Sequence, residues 1–175
     1  RVVDAEGNDV PPGVEGEILI RGPGMMLGYW NNPEATAEAI RDGWLHSGDI
    51  GTIDELGLIT FIDRLKDIIV SGGLNISAAE VERAVLEFPG IEEVAVIAAH
   101  DDRFQETPLA VVYAREPIDV AALIAHCNRR LADYKVPRYV AVRDEPLPRL
   151  ATAKISKPAL REEYRDAHLT LPKVR

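Results

Sequence analysis

Residues 63–81 read DRLKDIIVSGGLNISAAEV, and they contain a boundary between two sections of different character. The alternating charges of residues 63–67 are typical of an exposed linker. An apolar, β-branched run follows these charges, and a pair of glycines comes after it. Ser77 and Glu80 form the pattern of a capping box, which opens a helix. We therefore expect one domain to end near residue 64 and a second to occupy residues 65–175.

The section before this boundary, residues 1–64, has the pattern of a β-rich region. Gly16 precedes a candidate strand at residues 17–21, and the turn residues 54–57 separate two apolar runs, which predicts a β-hairpin. A helix is expected to begin at residues 32–34, because Asn is a preferred N-cap and Pro suits the first helical position.

The section after the boundary predicts a small α+β domain with a three-stranded sheet and helices. The expected elements are strands at 94–99, 109–114 and 139–142, and helices that begin at Ser77, span 119–133 and lie near 158–165. The last residues, 168–175, have no clear pattern, so we expect them to be loosely held.

Composition narrows the class of protein. The 175 residues are 46% hydrophobic and 28% charged, with a formal net charge of −9, which is typical of a globular protein. The negative balance argues against nucleic acid as a main partner, since phosphate binding needs a basic face. No apolar run reaches the roughly 20 residues of a transmembrane helix. The single cysteine, Cys127, cannot form an internal disulfide and fits a reducing, cytoplasmic setting. It lies on the apolar face of a predicted helix, which favours a position in the protein core.

Several short segments have residues suited to chemistry. The carboxylate of Asp49, after Gly48, has two oxygens that suit the two hydroxyls of a ribose, although an aspartate in a turn is the simpler interpretation. Lys154 lies on a Pro-rich loop before a helix and has the charge to contact a phosphate, although a loop lysine is usually only solvated. Gly72 and Gly73 would let a narrow substrate pass close to the backbone. Each signal is weak when it is taken alone.

Taken in order and at their spacing, these segments resemble the acyl-adenylate-forming superfamily, which contains the AMP-dependent acyl-CoA synthetases (ligases). The resemblance runs from about residue 2 to about residue 165. It rests on residues 16–22 with 28–36, 43–49, 63–82, and 147–155. It implies that the chain is the C-terminal part of such an enzyme, with a β-rich remnant of the large domain followed by the small mobile domain.

The resemblance also implies a reaction and residue roles. A carboxylic acid attacks the α-phosphate of ATP to give an acyl-adenylate, and CoA then displaces AMP. Asp49 and Arg64 would hold the ribose, and Lys154 would be catalytic in adenylation. Lys66 would be the hinge of the small domain, and the turn at Gly72 and Gly73 would border the pantetheine tunnel.

Some expectations follow from what this chain contains. The family usually has Gly before the catalytic lysine, and here the residue is Ala153, which would be strained if the site needs a positive φ. The Mg²⁺ ligands of the family lie upstream, so no metal site is expected here and the fragment is expected to be inactive alone. Fatty acid–CoA ligation is the favoured function. An adenylation domain that loads a carrier protein and a non-catalytic binding module stay open, and a homodimer is possible.

Overall fold

The computed structural model describes all residues from 1 to 175 and divides into two compact units, Arg1–Lys66 and Asp67–Arg175. Each unit has its own five-stranded sheet. The fold is mixed helix and strand, which confirms the α+β class predicted from the sequence.

The first unit is mostly antiparallel sheet around the long strand β4. Its elements are β1 (Val2–Val3), β2 (Gly16–Ile20), α1 (Pro33–Ala39), β3 (Ile40–Arg41), β4 (Trp44–Ile53) and β5 (Ile59–Arg64). The strands β2, β3 and β5 all pair antiparallel with β4, and β1 pairs with β2. Asn32 caps α1, and the predicted hairpin joins β4 to β5. Both features confirm local sequence signals.

The apolar core of this unit is small. Only Val2, Val3, Ile18 and Leu19 are buried hydrophobic residues in it, whereas Leu27 and Trp30 are almost fully exposed. Large exposed apolar side chains often mark interaction surfaces. The homodimer considered from the sequence stays a prediction.

The second unit contains more strands than the sequence predicted. Its elements are β6 (Ile68–Ser71), β7 (Leu74–Ser77), α2 (Ala78–Leu86), β8 (Ile91–Asp101), β9 (Gln105–Ala114), α3 (Val120–Asn128), β10 (Tyr139–Arg143), α4 (Lys157–Glu163) and α5 (Ala167–Thr170). The three predicted strands correspond to β8, β9 and β10. The hairpin β6–β7 adds two further strands, so the predicted three-stranded sheet is corrected to a five-stranded one. The addition was hidden because β6 joins β9 only through the pair Ser71 and Gln105, which are far apart in sequence.

Side chains alternate between the two faces of this sheet along each strand, and a separate core cluster covers each face. On β8, Val94 and Val96 belong to a core cluster with residues of α2 and α3, including Cys127. Ala95 and Ile97 belong to a second cluster with Leu160 of α4 and Ala167 of α5. The sheet is mixed, since β10 runs parallel to β9 while β8 runs antiparallel to it.

Two local expectations need correction. The predicted helix 119–133 ends at Asn128, and a short 3₁₀ turn follows at Asp133–Lys135. The C-terminal residues are held rather than loose. Lys173 Nζ lies 3.0 Å from Asp101 Oδ2, and the Val174 N–H donates to the Arg138 carbonyl at 2.9 Å. These contacts are long-range, so the local pattern contained no sign of them. No helix of the structure has the length and apolar character needed to cross a bilayer.

Candidate active site

Asp49 and Arg64 lie directly opposite each other on β4 and β5 of the first unit. Asp49 Oδ1 is 2.8 Å from Arg64 Nε, in an ion pair whose two side chains are 31% and 52% exposed. This Oδ1 is sheltered from solvent, yet it has no hydrogen bond of good geometry. The carboxylate as a whole is about a third exposed, so its accessible acceptor positions, beside a half-exposed guanidinium, can receive hydroxyl donors from a ligand.

The backbone around Asp49 is fixed by a network that begins on β2. The Ser47 hydroxyl donates to the Ile18 carbonyl at 2.6 Å and accepts from the Asp49 N–H at 3.0 Å. Gly48 has a φ of +67°, in the left-handed region where glycine is favoured. Its N–H donates to Glu17 Oε1 at 3.1 Å. The result is a fixed backbone from which the Asp49 side chain extends.

Sequence reasoning did not single out Glu17 for this role. Its other oxygen, Oε2, lies 2.8 Å from His46 Nδ1, and Arg41 Nη2 lies 2.7 Å from the same nitrogen. A protonated Nδ1 donates to the Glu17 carboxylate, and an unprotonated Nδ1 accepts from the Arg41 guanidinium. The protonation of Nδ1 therefore decides which of the two hydrogen bonds forms. The only signal in the sequence was a glutamate within an otherwise apolar strand. His46 is a partly buried member of this network.

Lys66 lies at the end of the first unit, within the 3₁₀ turn Leu65–Asp67. Asp67, the first residue of the second unit, is tied down within that unit. Its carboxylate forms ion pairs with Arg161 and, at 3.9 Å, with Lys157, both on α4. The side chain of Asp67 is only 12% exposed. The chain on the C-terminal side of Lys66 is therefore anchored.

Gly72 and Gly73 form the turn between β6 and β7, with φ values of +56° and +83°. Two consecutive positive φ values are the signature of a tight hairpin turn and explain the glycines. The Gly72 N–H donates to the Phe104 carbonyl at 2.9 Å, and a Cβ at Gly72 would lie 3.0 Å from the Phe104 ring. A Cβ at Gly73 would meet nothing within 4 Å.

Two arginines lie against the Phe104 ring beside this turn. The guanidinium carbons of Arg103 and Arg138 are 4.9 and 4.6 Å from the ring centroid. Contacts of this kind orient a guanidinium while its N–H groups stay available to an anion. The sequence analysis did not identify this cluster, because Arg138 is far from Arg103 and Phe104 in the sequence.

Lys154 lies on a short closed loop of the second unit and is exposed. The Leu150 N–H donates to the Lys154 carbonyl at 2.8 Å, and the Ala153 N–H donates to the Leu150 carbonyl at 2.9 Å. Ala153 has a φ of +63°, so the residue before the lysine does adopt the conformation for which glycine is favoured. The loop fixes the backbone of Lys154 and leaves its side chain to project into solvent.

The candidate residues are thus distributed over both units. Asp49 and Arg64 meet in the first unit, Gly72, Gly73 and Lys154 belong to the second, and Lys66 is at their boundary. No group of three or more His, Cys, Asp or Glu residues is arranged to hold a metal ion.

Comparison with known proteins gives a consistent result. The family model described as AMP-binding enzyme C-terminal domain matches residues 80–154, and the AMP-binding enzyme model matches residues 1–30. A feruloyl-CoA synthase of Amycolatopsis sp is 47% identical over 166 residues, which cover 94% of this chain and 34% of that protein. A long-chain-fatty-acid–CoA ligase of Escherichia coli O157:H7 is 42% identical over 166 residues, which cover 94% of this chain and 29% of that protein.

Solved structures agree in fold. ATP-bound MatB from Rhodopseudomonas palustris has a TM-score of 0.87 at 37% identity, with 96% of this chain and 34% of that chain covered. The o-succinylbenzoate CoA synthetase of Bacillus subtilis in complex with its acyl-adenylate intermediate has a TM-score of 0.85 at 36% identity, with 91% and 33% covered. The chain spans about a third of the length of the relatives it matches. From these matches and the motifs that carry them, the chain belongs to the AMP-binding, acyl-adenylate-forming superfamily of acyl-CoA synthetases.

Proposed function

We propose that this chain is part of an ATP-dependent acid–CoA ligase. In the first half-reaction, a carboxylate oxygen of the acid attacks the α-phosphorus of ATP. An acyl–O–P bond forms, the bond between the α-phosphorus and the bridging oxygen breaks, and pyrophosphate leaves. In the second, the sulfur of CoA attacks the acyl carbon, loses its proton, and expels AMP.

In this proposal Asp49 and Arg64 bind the ribose of the nucleotide. The supporting observation is their 2.8 Å contact, because it places one acceptor and one donor group side by side on adjacent strands. A ribose diol needs acceptors for its two hydroxyl protons and tolerates a donor at its oxygens. The network from Glu17 and Ser47 fixes the backbone that bears the carboxylate, which lowers the ordering cost of binding.

Lys154 is the proposed catalytic residue of adenylation. Charge moves onto the phosphate oxygens in the transition state, and a positioned ammonium group stabilises it there. The closed loop that fixes the lysine backbone supports this role, since a catalytic cation must be preorganised. Lys66 is the proposed hinge, because the division between the units falls immediately after it.

The turn at Gly72 and Gly73 is the proposed border of the pantetheine path in the second half-reaction. A turn without side chains allows close approach to the backbone. Arg103 and Arg138 beside Phe104 supply positive charge that matches the phosphates of CoA. This charge favours CoA over a carrier protein, whose pantetheine arm has no nucleotide. We propose a fatty acid as the acid, on the pattern of residues 71–76, although the names of the relatives cover aromatic and fatty acids.

The decisive experiment uses the full-length protein and measures the two half-reactions separately. Lys154→Ala is expected to reduce ATP–pyrophosphate exchange by about 10²–10³-fold, the usual effect of removing a transition-state charge contact. Thioester formation from added acyl-adenylate should stay within about twofold of wild type, since that step does not form charge at the phosphate in the same pose. Arg165→Ala, which removes an exposed cation beyond α4, is the matched control.

Equal loss of both half-reactions in Lys154→Ala would contradict the assigned role. The acceptor is tested by comparing CoA with free pantetheine. Arg138→Ala is expected to raise the KM for CoA and to leave the KM for pantetheine unchanged. An equal effect on both would show that Arg138 does not bind the nucleotide phosphates of CoA, and this support for CoA over a carrier protein would be lost.

A further inference from the structure

Glu93 on β8 is a carboxylate that the reaction scheme does not use, and its side chain is only 19% exposed. It lies 56 residues before Arg149, which is in the loop that contains Lys154, yet both of its oxygens are bound by that loop. The Leu147 N–H donates to Oε2 at 2.8 Å, and Arg149 Nη2 donates to Oε1. Glu93 therefore ties the start of the loop to the sheet.

Arg149 continues this connection to the residue beside Lys154. Its second terminal nitrogen, Nη1, donates to the Ala153 carbonyl at 2.7 Å. The same carbonyl carbon is bonded to the nitrogen of Lys154, so the guanidinium fixes the peptide group that leads into the lysine. Arg149 and Ile155 also form an isolated β-bridge that closes the loop.

We propose that Glu93 and Arg149 are positioning residues for Lys154, and this inference rests on the proposed adenylation function. They act by holding Ala153 in its left-handed conformation. An alanine at a positive φ is disfavoured relative to its ordinary conformations, because its Cβ comes too close to the following carbonyl oxygen. The charge-assisted bond from Arg149 to the Ala153 carbonyl opposes this preference, and Glu93 holds the guanidinium in place.

This arrangement also explains how the chain functions without the glycine that the family usually has before the lysine. A glycine adopts a φ of +63° without steric cost and would need no such tie. With Ala153 in its place, the pose of Lys154 depends on the tie. Loss of the contact between Glu93 and Arg149 should therefore disturb the position of Lys154.

The test uses the full-length protein and the same two half-reactions. Glu93→Gln keeps an acceptor for the Leu147 N–H but removes the charge that holds Arg149. We expect ATP–pyrophosphate exchange to fall by about tenfold, because the charge-assisted bond that holds Arg149 is weakened. Thioester formation from added acyl-adenylate should change by less than about twofold. Glu92→Gln is the matched control, because Glu92 is the adjacent carboxylate and pairs with Arg115 instead.

A second variant separates positioning from stability. Adding Ala153→Gly to Glu93→Gln should restore at least half of the lost exchange activity, because glycine holds the loop conformation unaided. A merely structural role predicts no such rescue, since Ala153→Gly does not replace the lost bond. Arg149→Ala should behave like Glu93→Gln and be rescued by the same glycine.

The outcomes distinguish this inference from the proposed function. If Lys154→Ala lowers exchange but Glu93→Gln and Arg149→Ala do not, the inference fails and the proposed function stands. Equal loss of both half-reactions in Glu93→Gln, without rescue by glycine, would also overturn the inference. If Lys154→Ala leaves exchange unchanged, the proposed function fails, whatever the Glu93 variants do.

Discussion

Asp49 and Arg64 occupy opposite positions on β4 and β5, with Oδ1 and Nε 2.8 Å apart. The antiparallel register places them there, and the bulge between Ile50 and Gly51 lies next to the pair. Bulges re-aim side chains and are frequent beside functional sites. The pair is thus defined by strand geometry rather than by the flexibility of two long side chains.

This relationship makes a prediction about nucleotide binding. Asp49→Asn removes the charge while keeping the side-chain size, and it should raise the KM for ATP in pyrophosphate exchange by about 10–100-fold. The reason is the loss of charge-assisted bonds to the ribose, worth about 1.5–3 kcal/mol. Glu55→Gln, at the exposed tip of the same hairpin, should leave the KM unchanged. An unchanged KM in Asp49→Asn would remove this residue from the site.

The glycine turn makes a second prediction. Gly73→Asn adds a side chain where a Cβ meets nothing within 4 Å, and Asn tolerates a positive φ. The unfolding temperature should fall by no more than about 4 °C, the shift that about 1 kcal/mol produces in a domain of this size. Thioester formation should nevertheless slow by at least about tenfold, because the added side chain would narrow the pantetheine path.

The control for this variant is Gly57→Asn in the hairpin of the first unit. Gly57 has a φ of +81°, close to that of Gly73, and also has open space around its Cβ position. It should show the same small loss of stability and no loss of thioester formation. Equal rates in wild type and Gly73→Asn would show that the turn does not border the substrate.

The sequence predicted the features that depend on local chemistry. The capping box at Ser77 and Glu80 opens α2, and the Asn32 cap opens α1, because a cap needs only residues a few positions apart. The positive φ of Ala153 was considered only as a condition, from the glycine that the resembling family usually has at this place. These signals lie within one turn of the chain.

What the sequence did not predict depends on contacts between distant segments. The hairpin β6–β7 was not predicted as part of the sheet, because its attachment to β9 is a single pair of residues that are far apart in the sequence. The contact of Arg149 with Glu93 and the tie of Lys173 to Asp101 join residues that are 56 and 72 positions apart. Periodicity and turn chemistry report only on neighbouring residues, so neither contact has a local signature.

Cys127 provides a prediction about reactivity. It lies on the inner face of α3 and is fully buried in the core. This burial raises the pKa of its thiol to about 11. Only the thiolate reacts with disulfide reagents, so at pH 8 the native thiol should be inert over hours. The measurement uses full-length protein in which any other cysteines are replaced by serine. Unfolding in guanidinium chloride is the control and should make the thiol react within minutes, whereas rapid reaction of the native protein would contradict the buried position.

The last prediction concerns Asp101 and the pH dependence of stability. Burial by itself raises the pKa of Asp101, but hydrogen bonds from Lys173, Phe104 and Arg103 and the charge of Lys173 outweigh it, so the pKa is lowered below its ordinary value of 3.8. A carboxylate with a lowered pKa stabilises the folded state above that ordinary value. The stabilisation is lost as the pH falls through the folded pKa.

Asp101→Asn should therefore unfold at a lower temperature than wild type at neutral pH, and the difference should shrink as the pH falls below 3.8. Asp102→Asn is the matched control, because Asp102 is the next residue and its carboxylate is almost fully exposed. This variant should unfold like wild type at every pH. A difference between wild type and Asp101→Asn that stays constant down to the acid transition would show that the charge of Asp101 does not hold the C-terminal residues.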